Sequence, residues 1–243
     1  MSRVTVLNGD IAIAADVHGP AGMRTVLFLH AGGESRSVWQ PISSAVSEQG
    51  WRTVAIDLRG HGDSGRAAHY RFDDFILDVV RVHGELCAEP LVIVGSSIGG
   101  ALGLIVAGEG HAAVAGLVLL DTPTRPQPAI ALGERNRLVT AQSRGAPALT
   151  PVDPAFLRGT FIQEVVADLG RWQRAAKRLR VPSLLIAGER SATVGPDELE
   201  AMKEDLPQLE VVWAPSGHLV ARDCPDEVAA HLKRFLAAPH WQS

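Results

Sequence analysis

The 243-residue sequence predicts an α/β fold: one doubly wound, mostly parallel sheet, led by an antiparallel hairpin. Three observations predict it. Short continuous apolar runs recur along the chain, as in strands covered on both faces. Helix-length segments separate them, the pattern of repeated β–α units. A single stretch of about sixty residues then breaks the alternation, longer than an ordinary connection.

The elements follow in order. Val4 to Leu7, Asn8-Gly9, and Ile11 to Val17 form a strand–turn–strand signal. Buried-strand runs come next at Thr25–Leu29, Thr53–Ile56 and Leu91–Val94, ending at His30, Asp57 and Gly95. Two more, Leu117–Leu120 and Leu184–Ala187, end at Asp121 and Gly188, and a last one covers Leu209–Trp213. Helices are expected at Val38–Glu48, Asp73–Ala88, Ile98–Ala107 and Glu227–Leu236. The interrupting segment opens with Pro123, Pro126 and Pro128 and carries Leu157, Phe161, Val165, Leu169 and Trp172 at helical spacing. It is expected to be a helical cap, residues 122–181, inserted in a core of residues 1–121 and 182–243. The alternative is extra helices packed on the flank. The basic cluster Arg171, Arg174, Lys177, Arg178 and Arg180 is expected to be the solvated face of its last helix.

Composition narrows the function classes. The net charge of −4 lacks the basic excess that a nucleic-acid footprint needs. No stretch reaches about 18 uncharged apolar residues, so no membrane span is expected. The N-terminus has no apolar signal core, and the protein is expected to be cytoplasmic. Cys87 and Cys224 fit no zinc or disulfide pattern and read as two reduced thiols. No H-E-x-x-H motif or clustered ligand set occurs, so no metal is expected.

Gly95-Ser96-Ser97-Ile98-Gly99 carries the chemistry. It fits G-x-S-x-G, follows an apolar strand and opens a helix. A serine at so sharp a turn needs glycine on either side, because neighbouring side chains would clash. The helix start behind it favours developing negative charge. Ser97 is therefore the candidate nucleophile, and Ser96 is out of register with the glycines. A serine hydroxyl is a weak nucleophile and needs a base. His218, in Ser216-Gly217-His218 after the last strand, is the histidine best placed to supply it. Backbone amides of Ile98 and of Gly32, in His30-Ala31-Gly32-Gly33, are candidate oxyanion donors.

These stretches, with Asp57-Leu-Arg-Gly-His-Gly-Asp-Ser-Gly65, resemble the α/β-hydrolase fold superfamily in its capped, serine-nucleophile branch. The resemblance implies acyl transfer through a Ser-His-acid triad, without a cofactor, on a small-molecule substrate. It assigns the Asp57–Gly65 stretch a structural turn. One departure matters. Where the family commonly carries G-x-x-D after the penultimate strand, this chain reads Gly188-Glu189-Arg190-Ser191, and serine cannot hold an imidazolium by charge. Some family members take the acid from the end of the strand after the nucleophile helix, and here that residue is Asp121. Glu189 is the alternative acid, and a Ser-His dyad is another.

The expected substrate is a small or medium ester with apolar groups. Trp39, Phe156, Phe161 and Trp172 are the candidate pocket walls, although residues of this kind are more often core than contacts. C–C bond hydrolysis, cofactor-free oxygen chemistry and non-catalytic ligand binding are rival readings on the same scaffold. Gly60-His-Gly62-Asp-Ser-Gly65 also matches G-x-G-x-x-G, but no helix opens inside its glycines and no acid follows at a second strand end.

Overall fold

Successive residues of a strand face opposite sides of its sheet, and the central strands here are apolar on both sides. In the computed structural model, Leu27, Leu29, Val54, Ile56, Ile93, Leu117, Leu119 and Leu185 enter one core cluster. Their neighbours Val26, Phe28, Ala55, Val92, Val94, Val118, Leu120 and Ile186 enter a second. A sheet with two apolar faces requires helices on both. Residues 1–129, 132–133, 136, 139–140, 152–158, 164, 168 and 170–241 are described.

The hairpin is β1 (Ser2–Asn8) and β2 (Ile11–His18). The parallel strands are β3 (Arg24–Leu29), β4 (Arg52–Ile56), β5 (Ala88–Ser96), β6 (Val114–Leu120), β7 (Ser183–Gly188) and β8 (Leu209–Ala214). Their order is β1-β2-β4-β3-β5-β6-β7-β8, with β1–β2 and β2–β4 antiparallel and every other pairing parallel. One face is covered by α2 (Phe72–Leu86), α3 (Ile98–Gly108) and α5 (Gly170–Arg178). The other is covered by α1 (Gln40–Ser47) and α8 (Pro225–Leu236). Helices α4 (Pro154–Arg158) and α6 (Pro196–Asp205) add to the first face, and α7 (Val220–Asp223) adds to the second.

Some boundaries differ from expectation. The first helix opens with a 3-10 turn at Arg36–Trp39. β5 starts at Ala88, three residues early, because Arg24 pairs with Ala88 across a bulge. α6 had not been expected, although Pro196 with Asp197 and Glu198 in the first turn is a helix-start signature.

The long segment after β6 needs a correction. Its last helix, α5, is no part of a separate layer. Trp172, Ala175 and Ala176 lie in the main core, and α5 packs so tightly on α3 that a Cβ on Gly108 would stand 2.3 Å from the Ala175 carbonyl oxygen. Phe156 and Leu157 of α4 belong to the same core. The start of the segment is pinned to α6: Thr124 and Arg125 donate backbone N–H groups to Glu198, and Arg125 pairs with the buried Asp205. Farther on, Val152 bridges His61 and the Asp153 N–H donates to the Gly60 carbonyl at 2.8 Å. Val165 and Leu169 lie outside the described residues.

The two glycines flanking the nucleophile turn illustrate why this region tolerates no side chain. A Cβ on Gly95 would lie 2.4 Å from the Gly99 carbonyl, and one on Gly99 would lie 2.1 Å from the Leu29 oxygen. Gly99→Ala is expected to cost about 1–3 kcal/mol or more, because backbone on both sides must shift. A urea-denaturation midpoint as high as that of the unaltered protein would refute this packing argument.

Candidate active site

The strand ends converge on one edge of the sheet. β5 runs into Ser97, β6 into Asp121, β7 into Gly188–Thr193 and β8 into the loop carrying His218. β3 ends at the adjacent loop, His30–Glu34. β4 and β5 flank β3 on opposite sides, so this edge includes the point where chain order reverses, where open sheets form crevices.

Ser97 has φ 51° and ψ −114°, outside the regions that L-residues prefer. Asp121 has φ 45°. Among the described residues these are the only two non-glycine residues with positive φ, and they are the proposed nucleophile and acid. Such strain, about 1–3 kcal/mol each, persists only where the surroundings over-determine it.

Their side chains meet through one histidine. Ser97 Oγ lies 2.9 Å from His218 Nε2, and His218 Nδ1 lies 2.7 Å from Asp121 Oδ2. Both Asp121 oxygens accept hydrogen bonds, from the Gly188 N–H and the Ser191 hydroxyl, and the histidine tautomer that suits this acceptor has its proton on Nδ1. Nε2 is then the acceptor for the serine hydroxyl. A proton can leave Ser97 for His218 while Asp121 holds the ring, which is the geometry of nucleophile activation. Ser97, Ile98 and Gly32 are all half-buried and open to a ligand. As the first residue of α3, Ile98 has no carbonyl one turn earlier within the helix to receive its N–H.

Asp121 has further partners. Oδ1 accepts the Gly188 N–H at 3.1 Å, and Oδ2 accepts the Ser191 hydroxyl at 2.5 Å. Ser191, at the position where the resemblance leads to an acid, instead donates to Asp121, the candidate acid on the neighbouring strand. Thr193 Oγ1 lies 3.1 Å from His218 Nδ1 and the same distance from Ser191 Oγ. Neither Ser191 nor Thr193 had been singled out for this part; the broken acid motif was the only signal in the sequence. Glu189, the alternative acid, is exposed and its N–H is spent on the Ala214 carbonyl.

The loop after β3 is held by buried polar groups. His30 Nδ1–H donates to the Ala31 carbonyl at 2.8 Å, and its Nε2 accepts the Leu58 N–H at 2.9 Å. Burial pushes the His30 pKa down to about 4, so the ring stays neutral and the tautomer is settled by its neighbours. Asp57 accepts the Arg36 N–H at 2.6 Å, the Arg36 guanidinium and the Asp63 N–H at 2.8 Å. A Cβ on Gly62 would fall on the Asp57 carboxylate. The Gly60 N–H donates to the Gly65 carbonyl at 2.9 Å, and α2 begins only at Phe72. The 57–65 stretch is thus a structural turn, and its glycines open no helix for a dinucleotide.

The structure places three of the four expected pocket walls in the core clusters. Trp39 is fully buried against Phe28, 5.1 Å between ring centroids, on the α1 side of the sheet. It is core. Phe156 is buried among His61, Tyr70 and Phe75. Trp172 packs near Phe72 and lines a separate surface pocket with Arg71, Glu164 and Arg171. Phe161 lies outside the described residues. Aromatic size drew all four into the expectation, and sequence spacing could not tell a wall from a core.

Residues 24–143 match the family described as the alpha/beta hydrolase fold. A protein of Caulobacter segnis, named as the carbamate hydrolase RutD, is 33% identical over 227 residues, which is 90% of this chain and 84% of that protein. The chain belongs to the alpha/beta hydrolase fold family. A RutD-named relative from Variovorax paradoxus is 35% identical over 144 residues, but that match spans only 54% of its length. Lipase LipV of Mycobacterium tuberculosis is 28% identical, covering 90% of this chain and 95% of the lipase. The thioesterase domain from the curacin biosynthetic pathway superposes with a TM-score of 0.78 at 23% identity, over 98% of this chain and 99% of that one. That last likeness speaks to the fold of this hydrolase alone. No helix among its described residues is long and apolar enough to cross a membrane.

In this hydrolase Ser191→Ala removes a hydroxyl donor from a fully buried carboxylate. Stability is expected to fall by about 1–3 kcal/mol. Chemical denaturation of the variant checks this, and an unchanged unfolding free energy would show that water replaces the hydroxyl at no cost.

Proposed function

We propose that this chain is a serine hydrolase that cleaves a small or medium carboxylic ester with apolar groups, through an acyl-enzyme. The observation that carries the reading is the continuous chain of hydrogen bonds from Ser97 through His218 to Asp121, both ends of it on strained backbone. His218 takes the proton as Ser97 Oγ attacks the carbonyl carbon. Asp121 fixes the ring and stabilises the imidazolium. The N–H groups of Ile98 and Gly32 receive the oxyanion. His218 then protonates the leaving alcohol, and finally takes a proton from the water that releases the acid. No cofactor enters any step.

Residues beyond Asp121 are assigned as the cap. The anchoring of Thr124 and Arg125 on α6, and of Val152 and Asp153 on the turn after β4, supports that reading: these points flank the strand ends that carry Ser97 and Gly32. The cap is narrower than residues 122–181, because α5 serves the core. A carbamate is the second candidate substrate. Its carbonyl presents the same target to Ser97, and the Caulobacter segnis relative bears that activity in its name.

The test is labelling by a fluorophosphonate, with peptide mapping, alongside turnover of p-nitrophenyl butyrate and a p-nitrophenyl carbamate. Single labelling at Ser97, abolished in Ser97→Ala, is expected. Asp121→Asn should cut turnover about 10²- to 10⁴-fold with the fold intact. A well-folded protein that neither labels nor turns over either compound would favour the non-catalytic reading, and an unaltered rate in Asp121→Asn would remove the acid from the triad.

A further inference from the structure

Glu34 is a buried carboxyl that the proposed reaction does not use. Only 6% of the residue is exposed, at the end of the candidate oxyanion loop. The loop closes as a turn: the Glu34 N–H donates to the Ala31 carbonyl at 3.1 Å, and Gly33 sits at φ 82°. The Glu34 side chain turns back and accepts the Ala31 N–H on Oε2 at 3.3 Å. Both polar groups of Ala31 are thereby tied to Glu34, with Gly32 at the tip between them. Oε1 is buried with no hydrogen-bond partner among the described residues. A carboxyl kept dry at such a cost calls for an explanation.

We propose that Glu34 is a positioning residue of the oxyanion loop: its carboxyl holds the Ala31 N–H, which keeps Gly32 presented to the substrate oxygen, and its charge stands beside the reacting histidine. The inference rests on the hydrolase reading above and adds a residue to it. The charged groups around Glu34 are His218 after β8 and Arg222 and Asp223 of α7. Arg222 leans on Asp223 at 2.9 Å, so part of its charge is already committed. Arg36, on Glu34's own side, is taken up by Asp57, Asp16 and Asp63. Burial dominates, raising the Glu34 carboxyl to about 7, while the Ala31 N–H, Arg222 and His218 act against it. The loop therefore carries a group that ionises near neutral pH. An ionised carboxylate grips the Ala31 N–H harder than a neutral acid does, and it favours the cation that forms on His218.

The sign for stability follows. Glu34 prefers its proton in the folded protein more than in the unfolded chain. The folded state thus binds more protons between about pH 4.5 and 7, and stability falls as pH rises through that window. Glu34→Gln keeps an acceptor for Ala31 and removes the charge, so its melting temperature should exceed the wild type's at pH 8, with the gap closing toward pH 5.

Two measurements decide the proposal. The first is an amide NMR titration of Ala31 and Gly32, which needs no substrate. Both resonances should move through a midpoint near pH 7 in the wild type and stay flat in Glu34→Gln. The second is turnover of p-nitrophenyl butyrate. Glu34→Ala should lower kcat about tenfold to a hundredfold with KM nearly unchanged, a loss approaching that of an oxyanion donor. Glu34→Gln should recover most of that kcat and move the acidic limb of the pH profile. Amides that titrate identically in wild type and Glu34→Gln, or a Glu34→Ala variant with full kcat, would overturn the assignment. Should the wild type show the titration but no turnover, the ester reading falls while the link between Glu34 and the loop stands.

Discussion

A buried carboxylate at Asp121 organises this site. A charge taken out of water is expensive unless its oxygens find donors. Asp121, at the end of β6, finds them on the next two strand ends: the end of β7 supplies the Gly188 N–H and the turn after it the Ser191 hydroxyl, and the loop after β8 supplies His218. Satisfying one anion therefore sets the spacing of three loops. The left-handed backbone at Asp121 follows from the same demand, because the side chain must turn across the sheet edge toward β8.

Asp57 repeats the device on the other side of the nucleophile. It too is fully buried, and it binds the Arg36 backbone and guanidinium as well as the Asp63 N–H. Arg36 lies just past the loop after β3, so Asp57 fixes the far end of that loop while neutral His30 ties its start to Leu58. Two buried carboxylates thus brace the elements that flank Ser97. The segment after β6 docks against the turn at Gly60 through the Asp153 N–H and adds Phe156, Leu157 and α5 to the main core.

Particular residues mark what could be read in advance. G-x-S-x-G pointed to Ser97 because both glycines are demanded by the turn: a Cβ on Gly95 would meet Gly99 nearby in the chain, and one on Gly99 would meet the end of β3 beside it in the sheet. The strand runs were legible because burial on both faces leaves an unbroken apolar sequence. Asp121 could be proposed from the serine at position 191 together with its own place at a strand end, where the family resemblance implies that some members carry the acid. The roles of Ser191 and Thr193 were hidden, since a hydroxyl in a loop looks alike whether or not a carboxylate stands across from it. The aromatic residues were the weakest guide. Trp39 and Phe156 have the size of pocket walls, and burial against Phe28 and Tyr70 decided otherwise.

By itself the sequence determined the succession of strands, the mostly parallel sheet and Ser97 as the candidate nucleophile, since the first two follow from periodicity and the third from a short motif. The tertiary structure alone decided which carboxylate meets His218, which aromatic rings are core, that α5 joins the main layer, and that Glu34 is buried behind Ala31. Those outcomes depend on pairs far apart in the chain, 97 residues between Asp121 and His218. Their separation in space is set by how β6, β7 and β8 align, and no local pattern of residues encodes that alignment.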